Sequence, residues 1–201
     1  MPVTDADSLV RARLAEGEAV ITAMRESERC VGEITAAAEA IGAAAVAGNK
    51  VLLFGNGGSA ADAVHIAAEF VGRYLVERRP LPALALNANI SALTAIGNDY
   101  GFEEIFARQV TALGAAGDVA VGLTTSGRSP NVARGLEAAS ALGLTTIAMT
   151  GADPGPVGAA AALTIAIPST ETPRIQEGHM VAAHTICEWV EEAIGGGEPP
   201  S

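Results

Sequence analysis

The sequence has little positive charge, little cysteine and few aromatic side chains. Only 12 lysines and arginines stand against 23 acidic residues, for a net charge of −11. This argues against a nucleic-acid-binding surface, because phosphate backbones are bound by clustered basic side chains. The two cysteines, Cys30 and Cys187, lack metal-ligand spacing and are typical of reduced thiols in a cytoplasmic protein. Any anionic ligand must therefore be held by local devices such as helix N-termini and hydroxyl groups.

The sequence also lacks the long apolar runs that membranes require. No stretch approaches the roughly 20 apolar residues of a membrane span. The N-terminus mixes acidic and basic residues and has no apolar core of a secretory signal. We therefore expect a cytoplasmic protein with no membrane partner.

Helical and strand-like segments follow one another in a regular order. Helices are predicted from Ser8 to about Ser27 and over residues 28–47. Five apolar strand-like runs then alternate with helices; the runs cover residues 51–54, 83–86, 119–123, 145–149 and 163–167. The intervening and final helices are predicted at residues 60–77, 90–115 (broken near 97–101), 130–142, 156–161 and 174–194.

This alternation is typical of a parallel sheet covered by helices on both faces. The sequence predicts an α/β domain over residues 49–195. Residues 1–48 form a helical segment whose apolar stripe, without a strand partner of its own, indicates self-association. Residues 196–201 are expected to be a flexible tail.

Two polar loops follow predicted strands and have the composition of phosphate sites. The first, Gly55–Ser59, runs GNGGS into an alanine-rich helix, and glycines let a backbone approach an anion at a helix start. The second, Thr124–Ser129, runs TTSGRS into Pro130, a residue favoured at the first helical position. Either loop alone could be an ordinary tight turn. Two such loops in one domain favour a phosphorylated ligand.

Candidate acid–base and metal-binding groups lie on two helices. His65 and Glu69 are four residues apart and share a helix face, so they could bind a metal, act as an acid–base pair, or form a simple surface pair. Gln176 and His184 are eight residues apart on the last helix, about 12 Å along its axis. One metal could meet both only if the glutamine leans toward it or neighbouring subunits contribute, and His179 is the geometric competitor.

Four segments together resemble the sedoheptulose-7-phosphate isomerase (phosphoheptose isomerase) family of sugar isomerase domains. They are GNGGSAADAVHIAAEF, IGNDYGFEEIF, TTSGRSPNV and RIQEGHMVAAH, and the similarity runs from about Leu9 to Ile194. The resemblance implies a three-layer αβα sandwich with a five-stranded parallel sheet of flavodoxin-like topology. It also implies a homotetramer formed partly through the N-terminal helices, with active sites near subunit interfaces.

The resemblance also implies roles for individual residues. Sedoheptulose 7-phosphate would be converted into D-glycero-D-manno-heptose 7-phosphate, with Glu69 as the base and His184 as its acid–base partner. One zinc ion per subunit would be held by His65, Glu69, Gln176 and His184, which selects His184 over His179. The substrate-binding positions would be Asn56, Gly57, Gly58, Ser59, Glu69, Asn98, Asp99, Thr124, Thr125, Ser126, Ser129 and Gln176.

A non-catalytic alternative shares this fold. One relative binds the bacterial replication initiator, and the segment RPLPALALNANISALTAIGND resembles it. That relative lacks the carboxylate matching Glu69 and the histidine matching His184, whereas this chain has both.

A departure from the isomerase family is Arg128, which stands where an asparagine is common and adds a positive charge beside the expected phosphate.

Overall fold

A computed structural model describes residues 5–195, so the tail expected at residues 196–201 lies outside the described residues. Two helices precede the sheet, α1 (Ala6–Glu26) and α2 (Glu28–Val46). The strands are β1 (Val51–Gly55), β2 (Ala83–Ala85), β3 (Val119–Leu123), β4 (Thr145–Thr150) and β5 (Leu163–Ala166). The remaining helices are α3 (Gly58–Val71), α4 (Ile90–Tyr100), α5 (Ala107–Leu113), α6 (Pro130–Ala141), α7 (Gly155–Ala159) and α8 (Thr172–Ala193), with a short 3₁₀ turn at Phe102–Glu104.

The five strands form one parallel sheet in the order β2-β1-β3-β4-β5. The predicted parallel sheet and its flavodoxin-like order are confirmed. The chain moves to one side of β1 to make β2 and to the other side to make β3. Ligands bind beyond the carboxyl ends of the strands at such a switch point. Because β1 and β3 are hydrogen-bonded neighbours, the two polar loops that follow them emerge side by side.

The two faces of the sheet are covered by different helices. Val51 and Leu53 of β1 face one buried cluster, which includes apolar residues of α2, α3 and α8. Leu52 and Phe54 face a second cluster built with α5 and α6. Successive strand side chains point to opposite faces, so a fully apolar strand requires helices on both sides. The predicted αβα sandwich is therefore confirmed.

Helix α2 belongs to this sandwich, which differs from the expectation that residues 1–48 lie outside it. Ala37, Ile41 and Ala45 are buried in the cluster of the first face. Helix α1 is different, because only Met24 of its residues is buried. In residues 5–195 no helix is long and apolar enough to cross a membrane.

Helix α3 ends earlier than predicted. The helical pattern predicts residues 60–77, but the helix ends at Val71, and Gly72 leaves the helical conformation with ψ −116°. The Arg78 guanidinium then donates to the carbonyl oxygens of Glu69, Phe70 and Gly72. This contact caps the helix, because the last carbonyls of a helix have no partner inside it.

Candidate active site

The glycine loop joins β1 to the N-terminus of α3. Gly57 has φ +58° and ψ −121° at the residue before the helix, a conformation that glycine adopts without the Cβ clash. No side chain caps this end of α3. The free backbone N–H groups of the first turn are therefore available to an anion.

Two asparagines that the sequence analysis did not select brace the glycine loop. Asn131, in the first turn of α6, exchanges two hydrogen bonds of 2.9 Å with Asn56. Asn87, just after β2, donates to the Gly55 carbonyl at 2.8 Å and accepts from the Gly55 N–H at 3.3 Å. The first of these contacts links the glycine loop to the start of α6, the helix that follows the second polar loop. The sequence signal for both was their position directly after a strand or at a helix start.

The second loop collects hydroxyl groups at the N-terminus of α6. The Thr124 Oγ1 lies 3.1 Å from the Ser129 Oγ and 3.4 Å from the Ser126 Oγ. Ser126 is exposed, and Thr125 and Ser129 are half-buried. Gly127 at the centre has φ +67°, and a Cβ there would meet the Asp153 carbonyl oxygen at 2.5 Å. Three hydroxyls and a helix N-terminus therefore converge, which is the chemistry of a phosphate site.

Arg128 does not extend freely over this loop. Its guanidinium lies 2.6 Å from the Asp153 carboxylate, and both side chains are mostly exposed. The charge that this residue adds to the loop is thus partly balanced by its neighbour. An exposed pair of this kind is weak and can open.

Two histidines and a carboxylate meet where α3 and α8 face each other. The Nε2 atoms of His65 and His184 are 3.1 Å apart, and the His65 Nε2 is 3.3 Å from the Glu69 Oε1. The Tyr74 ring stacks on the His184 ring, with a centroid distance of 5.3 Å and an angle of 26°. The residues predicted to be catalytic thus share one cluster, with His65 between Glu69 and His184.

Gln176 lies elsewhere in the chain. A Cβ on Gly58 would lie 2.0 Å from the Gln176 Nε2, so the Gln176 amide packs directly against the glycine at the start of α3. His184 follows eight residues later on the continuous helix α8, about 12 Å further along its axis. Within one chain, Gln176 therefore joins the glycine loop while His65, Glu69 and His184 form a separate cluster.

The donor atoms of this cluster suit a zinc ion. Zinc is bound by imidazole nitrogen and carboxylate oxygen, and adjacent ligand atoms of a tetrahedral site are separated by roughly 3.3 Å. The two separations that His65 makes, 3.1 and 3.3 Å, are close to that value. Residues 5–195 nevertheless contain no group of three His, Cys, Asp or Glu side chains assembled closely enough to hold a metal as they stand. Binding would therefore require Glu69 and His184 to close around His65.

A second carboxyl group, Asp62, was missed by the sequence analysis. It precedes His65 by three residues on α3, the spacing that places two side chains on one helix face. Its Oδ2 atom is buried and has no hydrogen-bond partner among residues 5–195. Burial raises the pKa of Asp62, and the charge of His65 opposes that shift.

His179 occupies the core. It is completely buried, and its Nε2 lies 3.1 Å from the Thr150 carbonyl oxygen. Desolvation lowers the pKa of His179 to about 4, against a smaller opposite effect of the hydrogen bond to Thr150. This histidine is therefore neutral at physiological pH and does not reach His65. Of these two histidines of α8, His184 is the one that contacts His65.

Three other residues predicted to contact the substrate have no hydrogen bond, within the described residues, to the groups discussed above. Asn98 and Asp99 are exposed at the end of α4, where the Asn98 amide donates to the Asp99 carboxylate at 2.8 Å. Within the described residues, neither side chain hydrogen-bonds to the two loops. Ser59 is buried, with its Cβ against Gly55. The predicted substrate contacts of these three residues stay predictions.

Comparison with known proteins identifies the family. A sequence model of the SIS domain matches residues 14–151. The phosphoheptose isomerase of Aquifex aeolicus is 64% identical over 147 residues, which are 73% of this chain and 77% of the relative. That of Citrifermentans bemidjiense is 51% identical over 189 residues, 92% of this chain and 95% of the relative. This chain belongs to the phosphoheptose isomerase family.

Solved structures of phosphoheptose isomerases share the fold described above. The enzyme from Neisseria gonorrhoeae superposes with a TM-score of 0.87 at 40% identity, covering 94% of this chain and all of that one. The enzyme from Francisella tularensis has the same TM-score at 30% identity. The resemblance of the four sequence segments to the phosphoheptose isomerase family is thus confirmed.

Proposed function

We propose that this protein is a D-sedoheptulose-7-phosphate isomerase. It converts sedoheptulose 7-phosphate into D-glycero-D-manno-heptose 7-phosphate, the first step of nucleotide-activated heptose biosynthesis. The decisive observation is that a chain of this family carries Glu69 and His184 on either side of His65. Both side chains that we expect the replication-initiator-binding alternative to lack are present here, and nothing in the site favours that alternative.

The positions of the two parts of the site suit a long sugar phosphate. Gly58 and His65 are seven residues apart on α3, about 10 Å along the axis. The phosphate loops therefore lie at the N-terminal end of α3, and the acid–base groups lie about two turns further along the helix. A seven-carbon sugar with its phosphate on C7 also separates the phosphate from the reacting carbons C1 and C2 by most of its length.

The reaction moves two hydrogens without an external oxidant. The Glu69 carboxylate removes a proton from C1, and the electron pair forms a C1–C2 double bond. His184 gives a proton to the C2 oxygen, which produces an enediol. A proton is then delivered to C2 while the C1 hydroxyl loses its proton to become the aldehyde. Glu69 and His184 end the cycle in their starting protonation states, as general acid–base catalysis requires.

We further propose one zinc ion per chain, bound by His65, Glu69 and His184. Bound there, zinc would supply Lewis-acid polarisation of the substrate carbonyl. Gln176 packs on Gly58 in its own chain, so we expect this predicted fourth ligand to come from the partner subunit. Metal analysis of protein prepared without chelator checks the proposal, with His65→Ala as the variant that loses the metal.

Assembly and location are proposed on separate grounds. The exposed apolar residues of α1 include Leu9, Leu14 and Ile21, and covering them in a homotetramer would place active sites near subunit interfaces. Cys30 and Cys187 are both buried and free, which fits the reducing cytoplasm.

The direct test is incubation with sedoheptulose 7-phosphate. We expect formation of the aldose phosphate, followed by NMR of the new anomeric proton signals. The Glu69→Gln variant, assayed beside the wild type, excludes a contaminating isomerase. A folded wild-type protein that forms no aldose phosphate with zinc present would contradict the proposed function.

A further inference from the structure

We propose that Tyr74 is a positioning residue that holds the His184 imidazole toward His65, and that a buried Arg78–Glu191 pair fixes Tyr74 in place. The proposal rests on the acid–base role given to His184 above. It concerns the segment of residues 72–82, whose first part, residues 72–77, the sequence wrongly predicts to be helical. This segment connects α3, which carries His65 and Glu69, to the edge strand β2.

The Arg78–Glu191 pair is buried and fully engaged. Arg78 is 4% exposed and Glu191 is 2% exposed, and the Arg78 Nε lies 3.1 Å from the Glu191 Oε1. The other guanidinium nitrogens donate to four backbone carbonyls; these belong to Glu69, Phe70, Gly72 and Arg79. A buried ion pair persists only when its remaining donors and acceptors are satisfied, and this condition is met here.

The Glu191 carboxylate holds the backbone of the segment. Its oxygens accept from the N–H groups of Tyr74 at 2.8 Å, Leu75 at 2.8 Å and Val76 at 3.0 Å. These hydrogen bonds, and the ion pair with Arg78, lower the pKa of Glu191 against the effect of its burial. Leu75 and Val76 are 57% and 44% exposed, so apolar packing contributes little to the shape of this segment. The carboxylate of α8 therefore defines where the Tyr74 backbone lies.

The Tyr74 ring contacts the proposed acid–base group, His184, directly. It is half-buried and stacks on His184 with nearly parallel rings. If the His184 ring rotated, it would lose this stacking contact. In the stacked orientation the His184 Nε2 lies 3.1 Å from the His65 Nε2. His184 and Glu191 are seven residues apart on α8, two helical turns. One helix thus carries both the imidazole and the carboxylate that places its stacking partner.

The same pair also sets the end of α3. Arg78 donates to the Glu69 carbonyl at 2.7 Å, so the backbone of the proposed base is tied to the guanidinium that Glu191 binds. The buried pair therefore fixes α3 and α8 relative to each other at the level of the acid–base cluster. We infer that the pair serves the geometry of the site as well as the stability of the fold.

The test uses NMR of the metal-free, untagged protein together with kinetics of the zinc-loaded enzyme. The chain has three histidines, so labelling the histidine ring carbons gives three resolvable signals, of which the His184→Gln variant removes one. In Tyr74→Leu we expect the His184 signal to move most, because the ring current of Tyr74 is lost, and the signal of His179, which is buried against Thr150, to stay in place. We expect kcat to fall roughly 3- to 10-fold with KM little changed, from the energy of one aromatic stack.

Tyr74→Phe and Leu75→Ala are the matched controls. Tyr74→Phe keeps the ring and should keep both the His184 signal and kcat. Leu75→Ala alters an exposed neighbour whose N–H still reaches Glu191, and should behave like the wild type. A Tyr74→Leu protein with an unmoved His184 signal overturns the stack, and one with a moved signal but wild-type kcat overturns the positioning role.

The buried pair is tested with Glu191→Gln, which keeps the size of the side chain and removes its charge. We expect lower thermal stability, and the same displacement of the His184 signal that Tyr74→Leu shows. If Glu191→Gln folds and leaves the His184 signal in its wild-type position, the role of the pair is overturned. If the variant does not fold, the Tyr74 variants still decide the positioning of His184. Full turnover in His184→Gln would instead contradict the acid–base assignment, and it would leave the NMR result for the stack intact.

Discussion

The Nε2 atoms of His65 and His184 lie 3.1 Å apart, although 119 residues separate the two histidines in the chain. The contact is made because α3 and α8 pack on the same face of the sheet. It places Glu69, one turn beyond His65, beside a second imidazole that the local sequence around α3 does not contain. The acid–base pair that we propose for the proton shift between adjacent carbons is thereby assembled from two distant helices.

The first prediction concerns the base. Glu69→Gln keeps the size and a possible metal contact but cannot accept a proton, so kcat should fall by at least the ~10²-fold of a lost acid–base group. Steady-state kinetics with sedoheptulose 7-phosphate measures this. Glu77→Gln is the control, because Glu77 is a largely exposed residue paired with Arg73. Near-normal turnover in Glu69→Gln would refute the assignment.

The second prediction separates two histidines of helix α8. His184→Ala should reduce kcat as strongly as Glu69→Gln, because it removes the proton donor at the carbonyl oxygen. His179→Ala should retain kcat but unfold at lower temperature, because its side chain is completely buried and truncation leaves a cavity. Kinetics and thermal denaturation of both variants check this pair of outcomes. A loss of kcat in a folded His179→Ala protein would show that periodicity, and not family resemblance, named the right histidine.

Local patterns predicted most of the fold. The five strands were placed to within one residue at each end, because each is a mostly apolar run between helices. The predicted end of α3 was wrong, because the cap comes from Arg78, whose partner Glu191 is 113 residues away in the sequence. The burial of α2 was not predicted either, since alanines such as Ala37 and Ala45 give a weak amphipathic signal and also suit a solvent-exposed helix.

The site was predictable only in part. The four-residue spacing of His65 and Glu69 follows from helix geometry, and the two loops follow from their composition. The selection of His184 depended on family resemblance. Asn131 and Asn87 were missed because each gains its role from the loop it meets in three dimensions. The wide spacing of Gln176 and His184 was expected from helix geometry, since eight residues extend about 12 Å along the axis.

The third prediction concerns the phosphate loop. Ser126→Ala combined with Ser129→Ala removes two of the three hydroxyls at the start of α6, so KM should rise more than kcat falls. The reason is that the phosphate is remote from the reacting carbons and is bound equally in the ground and transition states. Steady-state kinetics of the double variant decides this. An unchanged KM would move the phosphate to another part of the site.

Arg128 provides a comparison for this experiment. Arg128→Asn removes the positive charge and its contact with Asp153, while it leaves the hydroxyls in place. If the hydroxyls and the helix N-terminus carry the phosphate, this variant should change KM less than the double serine variant does.

The fourth prediction concerns stability against pH. His179 has a pKa of about 4 in the folded protein and 6.5 as its ordinary value. Between pH 4 and pH 6.5, His179 binds a proton in the unfolded chain but not in the folded chain. The contribution of neutral His179 to the free energy of unfolding is therefore fully present above pH 6.5 and is lost as the pH falls toward 4. A difference of this size corresponds to about 3 kcal/mol at the lower end of the window.

His179→Leu isolates this effect. The substitution removes the contact of His179 with the Thr150 carbonyl, but that carbonyl keeps its hydrogen bond from the Ile167 N–H, so it is not left unpaired. Asp62, whose pKa is raised by burial, acts with the opposite sign and is present in both proteins. The difference in unfolding free energy between pH 7 and pH 5 should therefore be smaller in His179→Leu than in the wild type. Chemical denaturation at the two pH values measures it, and equal differences would refute the role of His179.

The fifth prediction concerns assembly through α1. Leu14 and Ile21 are 68% and 44% exposed and lie seven residues apart, so they share one face of the helix. Deleting residues 1–47 is not the right test, because it would also remove α2 and uncover the sheet. If α1 forms the proposed tetramer, Leu14→Glu combined with Ile21→Glu should break it while the sandwich stays folded, and activity should fall because the proposed interfaces lie near the sites. Light scattering gives the mass, and circular dichroism checks the fold.

Leu113→Glu is the control, because Leu113 is a comparably exposed leucine on the other face of the sheet. This variant should leave mass and activity unchanged. A double variant that is monomeric and fully active would show that each chain carries a complete site of its own.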